Sequence, residues 1–251
     1  DLEDLGAQVV LANTYHLMLR PGAEIVKNAG GIASFANWKG LTLTDSGGYQ
    51  IFSLDPKIEE EGATFRSVYD GSYHKLTPES SADIQADIGA DVQMVLDICP
   101  ALPAPEETIR ESVEMTAAWA ERGRKTFIGH PDASSRQSQF GIVQGGTNSV
   151  LRVESAKRTL EIGFDGYAIG GLSVGEGRNE MLDSVSVVTD LFPEDQPRYF
   201  MGLGDPVGLV HVVDRGIDMF DCVLPPRFAR HGPVLPSAGR LTLWHALFST
   251  A

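Results

Sequence analysis

Seven short apolar runs punctuate the chain, and each is closed by a cluster of Gly, Asp, Asn or Pro. They are AQVVLANT, LTLTDSGG, DVQMVLDICP, FGIVQGG, GYAIGGL, RYFMGLG and MFDCVLPPR. Between most of them lie stretches of helical composition, such as PEETIRESVEMTAAWAERGRK and NSVLRVESAKRTLEIG. Apolar runs without polar alternation, separated by helices, predict parallel βαβ units covered on both faces. Either an open doubly wound sheet or most of an eight-stranded barrel meets that description.

The polar residues separate the two. Nearly every run carries its unusual side chains at its C-terminal end: Asn13, Thr14 and His16; Asp45, Ser46 and Gln50; Asp97 and Cys99; Gln144; Gly170 and Gly171; Gly202 and Gly204; Asp221 and Cys222. A barrel gathers all these ends at one mouth, whereas an open sheet gathers only those at its switch point. The sequence therefore predicts an α/β chain of the (β/α)8 TIM-barrel class, a single barrel domain over 1–251 with seven strands visible and the first strand missing. A dinucleotide fold is disfavoured, because MGLGDPVG places its third glycine, Gly208, one residue too late for G-x-G-x-x-G.

Composition narrows the function classes. With 251 residues, 42% hydrophobic, the chain is long enough for a large core. It has no apolar run of the ~18 residues that a membrane helix needs. Two cysteines, Cys99 and Cys222, exclude a disulfide scaffold and cannot alone close a four-ligand zinc site. With no signal-peptide pattern, they suit a reducing, cytoplasmic setting. His16, His130 and His211 lack metal-ligand spacing. The net charge of −14 argues against nucleic acid, yet it is uneven. Residues 219–251 hold Arg227, Arg230 and Arg240 against Asp221 alone, a local +2 on an acidic body. The opening DLEDLGAQ reads as a helix entered midway, and LTLWHALFSTA ends without a cap, so a fragment is expected.

Asp45 follows the apolar LTL in TDSGGYQ; Asp-Ser-Gly is ordinarily a turn, but a carboxylate there can also transfer a proton or attack as a nucleophile. Ser46, Gly47 and Gly48 are expected to turn tightly with their N–H groups toward the mouth. Asp221 ends a strand, where an unpartnered buried acid is costly; alone it reads first as a helix N-cap or a salt-bridged strand end. Two carboxylates at one mouth can divide a displacement at a sugar carbon between them. Asp97 can accept N–H groups from a nucleobase edge and Gln144 can both donate and accept, although either alone is more often a structural hydrogen-bonder. Gly170, Gly171 and Leu172 permit close backbone approach to a flat ligand or simply a tight βα turn. Tyr49 and Met201 can sandwich a ring, though apolar residues near a strand end are usually core.

The motifs ANTYHLMLRPG, WKG, TDSGGYQIFSL, DICP, FGIVQGG, GGLSVGE, YFMGLG and GIDMFDCVLPPR, in this order, resemble the tRNA-guanine transglycosylases nearly end to end. The resemblance implies a barrel enzyme that exchanges the wobble guanine of queuosine-family tRNAs for a 7-deazaguanine base through a covalent enzyme–RNA intermediate. Carried over, Asp221 resembles the nucleophile and Asp45 the general acid/base. Asp97, Gln144, the Gly171 and Leu172 backbone and Cys99 would hold the base edge, with Tyr49 and Met201 on its faces. Arg227 and Arg230 resemble the arginines that meet the anticodon loop. Val174 and Cys99 resemble the bacterial pattern, which takes 7-aminomethyl-7-deazaguanine. The chemistry then needs no cofactor. The family also implies a homodimer and a structural zinc, whose C-x-C-x-x-C motif is absent from this chain. Pro226 and His231 stand where the bacterial pattern more often has Thr and Asn. A non-catalytic, RNA- or partner-binding subunit of the family is the alternative, although such a subunit should have lost its carboxylates. An unrelated barrel lyase or hydrolase fits the ordered motifs poorly.

Overall fold

The computed structural model describes residues 2–234 and 241–242, the side chains of Pro226, Ala229 and Thr242 apart. Arg240 and the stretch after Thr242 lie outside the described residues. The seven runs expected from the sequence are seven strands of one sheet: β1 (Val9–Ala12), β2 (Leu41–Thr44), β6 (Val92–Met94), β7 (Ser138–Val143), β8 (Gly166–Ile169), β9 (Arg198–Phe200) and β10 (Met219–Phe220). Between β2 and β6 the chain makes an antiparallel three-stranded sheet, β3 (Lys57–Glu59), β4 (Gly62–Arg66) and β5 (Tyr73–Leu76), and beyond β10 a short pair, β11 (Pro233–Val234) and β12 (Leu241–Thr242).

The order of the large sheet, β1-β2-β6-β7-β8-β9-β10, follows the chain without reversal, and every neighbouring pair is parallel. A doubly wound sheet must reverse at its switch point. The curled, singly wound sheet is that of a truncated (β/α)8 barrel. Residues 2–6 form turns rather than the helix expected there.

Helices cover the outer face, and the central strands are the most buried; β8 is buried along its whole length, whereas the edge strands β1 and β10 are only partly covered. The helix Ser149–Ile162, capped by the Asn148 side chain on the N–H groups of Val150 and Leu151, packs closely on β7 because Gly141 has no Cβ to strike Thr159 and Phe164. The helix Pro78–Ile88 starts at a Thr77–Ser80 capping box and ends at Gly89 in the left-handed region, φ 69°. From it, Gln85 is fully buried and joins two strands: its Oε1 accepts from Thr44 Oγ1 and Met94 N, both at 3.0 Å, and its Nε2 donates to Met94 O at 2.8 Å. The main core joins Leu43, Met94, Phe140, Ile142, Ile169 and Phe200 to the helix residues Val185 and Val188.

A repeated device ties the strand starts. An aspartate just before one strand accepts the N–H of a residue at the start of the preceding one: Asp91 from Thr42 at 2.7 Å, Asp165 from Gln139 at 2.9 Å and Asp218 from Arg198 at 2.9 Å. These acids serve the sheet at the end away from the mouth. The acids at the opposite end do not follow this pattern.

Candidate active site

Asn13, Asp45, Gln144, Gly170, Met201 and Asp221 each stand one residue past the end of their strand, and Asp97 stands three past β6. The parallel sheet therefore presents them all at one end.

Asp45 is partly buried and tightly held. Its Oδ1 accepts the N–H groups of Thr14 and Gly47, both at 3.0 Å, and its Oδ2 accepts from Asn13 Nδ2 at 2.6 Å. Asn13 also caps the helix Thr14–Leu19 through the N–H of His16, so β1 and its helix fix the carboxylate. Gly47 allows this at φ 82°, where a Cβ would press on the Tyr15 backbone. The N–H groups of Gly47 and Gly48 are thus consumed locally rather than offered to the mouth, since that of Gly48 goes to Ser46 Oγ. Burial pushes the Asp45 carboxyl up to about 6; the N–H groups of Thr14 and Gly47 oppose the shift and the charge of Asp221 adds to it. The two expected carboxylates therefore share one electrostatic environment.

Asp221 is held from the adjacent strand. Its Oδ1 accepts from Tyr199 Oη at 2.7 Å and from Gly202 N at 2.9 Å. Tyr199 is almost fully buried, and burial together with the Asp221 charge raises its hydroxyl well above the usual phenol range, so it stays a donor. Gly204 lets the ends of β9 and β10 close together, because a Cβ there would collide with Cys222.

The second half of the site is a buried amide–carboxylate pair. Asp97 accepts from Gln144 Nε2 at 2.6 Å and from Ser46 Oγ at 3.3 Å. Burial pushes Asp97 up to about 6 and the neighbouring Cys99 thiol up to about 12, which keeps the sulfur neutral. Gln144 Oε1 is buried with no partner among the described residues. Gly170 and Gly171 lie against this amide, with Gly171 at φ 64°, and a Cβ on either would clash with it. Leu172 is buried beside them.

A family model described as queuine tRNA-ribosyltransferase matches residues 1–251. The chain belongs to that family. Proteins named queuine tRNA-ribosyltransferase resemble it closely. The one from Thermoanaerobacter pseudethanolicus is 49% identical over 251 residues, 99% of this chain and 66% of that protein. The one from Halothermothrix orenii is 49% identical over 250 residues, 98% and 65% of the respective chains, and that from Thermotoga petrophila 50% over 244 residues, 97% and 65%. The chain thus spans just under two thirds of the length of these relatives.

Within this family member, the rim residues stand apart from the buried pair. Tyr49 is 63% exposed on the short helix Gly48–Phe52, while Met201 is partly buried against the main core. Arg227 and Arg230 are exposed on the helix Leu224–His231. The two cysteines stand at different strand ends, Cys99 beyond β6 and Cys222 after β10, and among the described residues no group of three or more His, Cys, Asp or Glu is placed to hold a metal. These residues do not fit the zinc site that the resemblance implies. No helix among the described residues is long and apolar enough to cross a membrane.

Two residues of the site escaped the sequence reading. Tyr199 looks like an ordinary strand aromatic in RYF. Arg152 lies in a helix and is fully buried. The available signal for it was spacing, since Arg152 shares its helical face with Ser155, Ala156 and Thr159, all buried.

Proposed function

We propose that this chain carries the catalytic barrel of a tRNA-guanine transglycosylase that exchanges the wobble guanine of tRNA for 7-aminomethyl-7-deazaguanine. The observation that carries the reading is the pairing of two clamped, electrostatically coupled carboxylates, Asp45 and Asp221, at the same strand ends as the buried Asp97–Gln144 pair. The matching family supports it.

In this reading the wobble nucleotide leaves the loop stack and enters the mouth, as enzymes acting on a base require. Asp97 accepts the N–H groups of the guanine edge, and Gln144 and the Gly171–Leu172 backbone meet its other polar atoms. Tyr49 and Met201 contact the ring faces. The Asp221 carboxylate attacks the ribose C1′ as the C1′–N9 bond breaks, through an oxocarbenium-like state that the carboxylate stabilises. The bonding electrons leave with guanine, which takes a proton from Asp45. A carboxyl near 6 is divided between its acid and base forms close to neutrality, which suits it to both directions of transfer. The incoming base gives its N9 proton to Asp45, its nitrogen attacks C1′, and Asp221 is released. Two displacements retain the configuration. Val174 and Cys99 favour the aminomethyl substrate, and Arg227 and Arg230 meet the anticodon loop.

The test is exchange of labelled guanine into tRNA, using this chain and the same chain extended to the length of its relatives. Label incorporation that depends on Asp221 is the expected result. No incorporation by the extended protein, with a folded barrel, would refute the reading.

A further inference from the structure

Among the described residues, Arg152 is the only cation that is fully buried. No carboxylate lies within salt-bridge distance of it among those residues, although burying a guanidinium is costly unless its donors are satisfied. It donates to backbone carbonyls alone. Nε reaches Gly146 O at 2.7 Å, Nη1 reaches Val143 O at 3.0 Å and Gly170 O at 2.8 Å, and Nη2 reaches Gly171 O at 3.2 Å. Burial lowers its pKa only to about 10, so the group stays charged at neutral pH.

Two of these acceptors, Gly170 O and Gly171 O, belong to consecutive peptides. In a trans peptide the carbonyl and the following N–H point in opposite directions. A guanidinium that holds both carbonyls therefore turns the N–H groups of Gly171 and Leu172 to the far side. That side carries Cys99, whose thiol meets the Gly171 N–H. Otherwise neither N–H has an acceptor among the described residues. Successive N–H groups about a left-handed residue make a concavity for an oxygen, and Gly171 has φ 64°. The same planar fork also holds Val143 and Gly146, which flank Gln144 in the chain.

We infer that Arg152 is a positioning residue: it locks the peptides after Gly170 and Gly171 so that their N–H groups form a seat for the exocyclic carbonyl oxygen of a guanine-type base. This rests on the reading of the mouth as a base pocket. Arg152 touches no base itself. It acts through two peptide planes, and a lysine, with one compact ammonium in place of a fork, cannot hold four carbonyls in that geometry.

The experiment compares equilibrium binding of guanine with that of 6-thioguanine, which keeps the N1–H and the 2-amino group but carries a weaker acceptor in place of the oxygen. The wild-type protein should prefer guanine by about tenfold, the worth of roughly one good hydrogen bond. In Arg152→Lys that preference should fall close to unity, with affinity for 6-thioguanine nearly unchanged. Equal losses for both bases, with the ratio preserved, would mean that Arg152 only holds the fold together, and the proposal fails. A second measurement needs no variant: guanine should slow hydrogen exchange at the Gly171 and Leu172 amides of the wild-type protein. Unchanged exchange at both amides overturns the proposal even if Arg152→Lys does not fold. If the wild-type protein binds neither base, the base-pocket reading itself is wrong and the inference falls with it.

Discussion

Gln144 gives its side-chain N–H to Asp97 at 2.6 Å while its own carbonyl oxygen lies buried without a partner among the described residues. The pair is therefore satisfied on one side only. Its acid is also held far from its ordinary ionisation. With Asp97 raised to about 6 in the fold, against about 3.9 in an unfolded chain, the unfolded state loses its proton first. The folded state therefore loses stability relative to the unfolded one as pH rises from about 4 to about 6, and the loss is complete above that window. Asp97→Asn cannot ionise, so it should be more stable than wild type at pH 7, by up to about 3 kcal/mol, and no more stable at pH 4. Urea denaturation at the two pH values measures this. The same variant should bind guanine about tenfold to a hundredfold more weakly. A variant that loses stability at pH 7 would contradict the buried-acid account.

The two carboxylates of the mouth should differ in kind. Asp221→Asn removes the group proposed to bond to C1′, so no covalent RNA adduct should form on a denaturing gel. Asp45→Asn keeps the size but not the proton transfer, and should slow adduct formation or exchange by about 10²–10⁴ while tRNA still binds. A normal adduct in Asp221→Asn with none in Asp45→Asn would reverse the assignment.

Tyr199→Phe retains the buried ring but deletes the 2.7 Å hydrogen bond to Asp221. Hydrogen bonds to charged groups contribute about 1.5–3 kcal/mol. Adduct formation should therefore slow by about tenfold to a hundredfold. The KM for tRNA should stay near its wild-type value, because the ring and the strand are unaltered. A large rise in KM with kcat intact would place Tyr199 in binding instead.

Arg227 and Arg230 are exposed on the helix after Asp221. If they meet RNA phosphates, Arg227→Ala and Arg230→Ala should each weaken tRNA binding and reduce the slope of log affinity against log salt by about 0.7–0.9. Guanine binding should be unaffected in both. Salt titrations with an unchanged slope would assign them another role.

The seven barrel strands were legible because burial on both faces forces unbroken apolar runs, and strand-end polar residues betray the mouth. The β3–β5 sheet was not. KIEEEGATFRSVYDGSYHKL mixes charges into strands of three to five residues, and only the Asp70-Gly71 pair signalled a turn. Asp45, Asp97, Gln144 and Asp221 were legible as strand-end polar groups. Tyr199 and Arg152 were hidden because their residue types are ordinary in strands and helices, and only the fold shows that one donates to Asp221 and the other to four carbonyls.

The sheet's order repeats the order of the chain, and this has a consequence for synthesis. A ribosome delivers Asp45 first, then Asp97, Gln144, Arg152 and Gly171, and only afterwards β9 and β10 with Tyr199 and Asp221. The nascent protein gains the wall proposed to face the base before it gains the carboxylate proposed to attack. On the proposed mechanism, a chain stalled before β10 would hold a purine but form no bond to RNA.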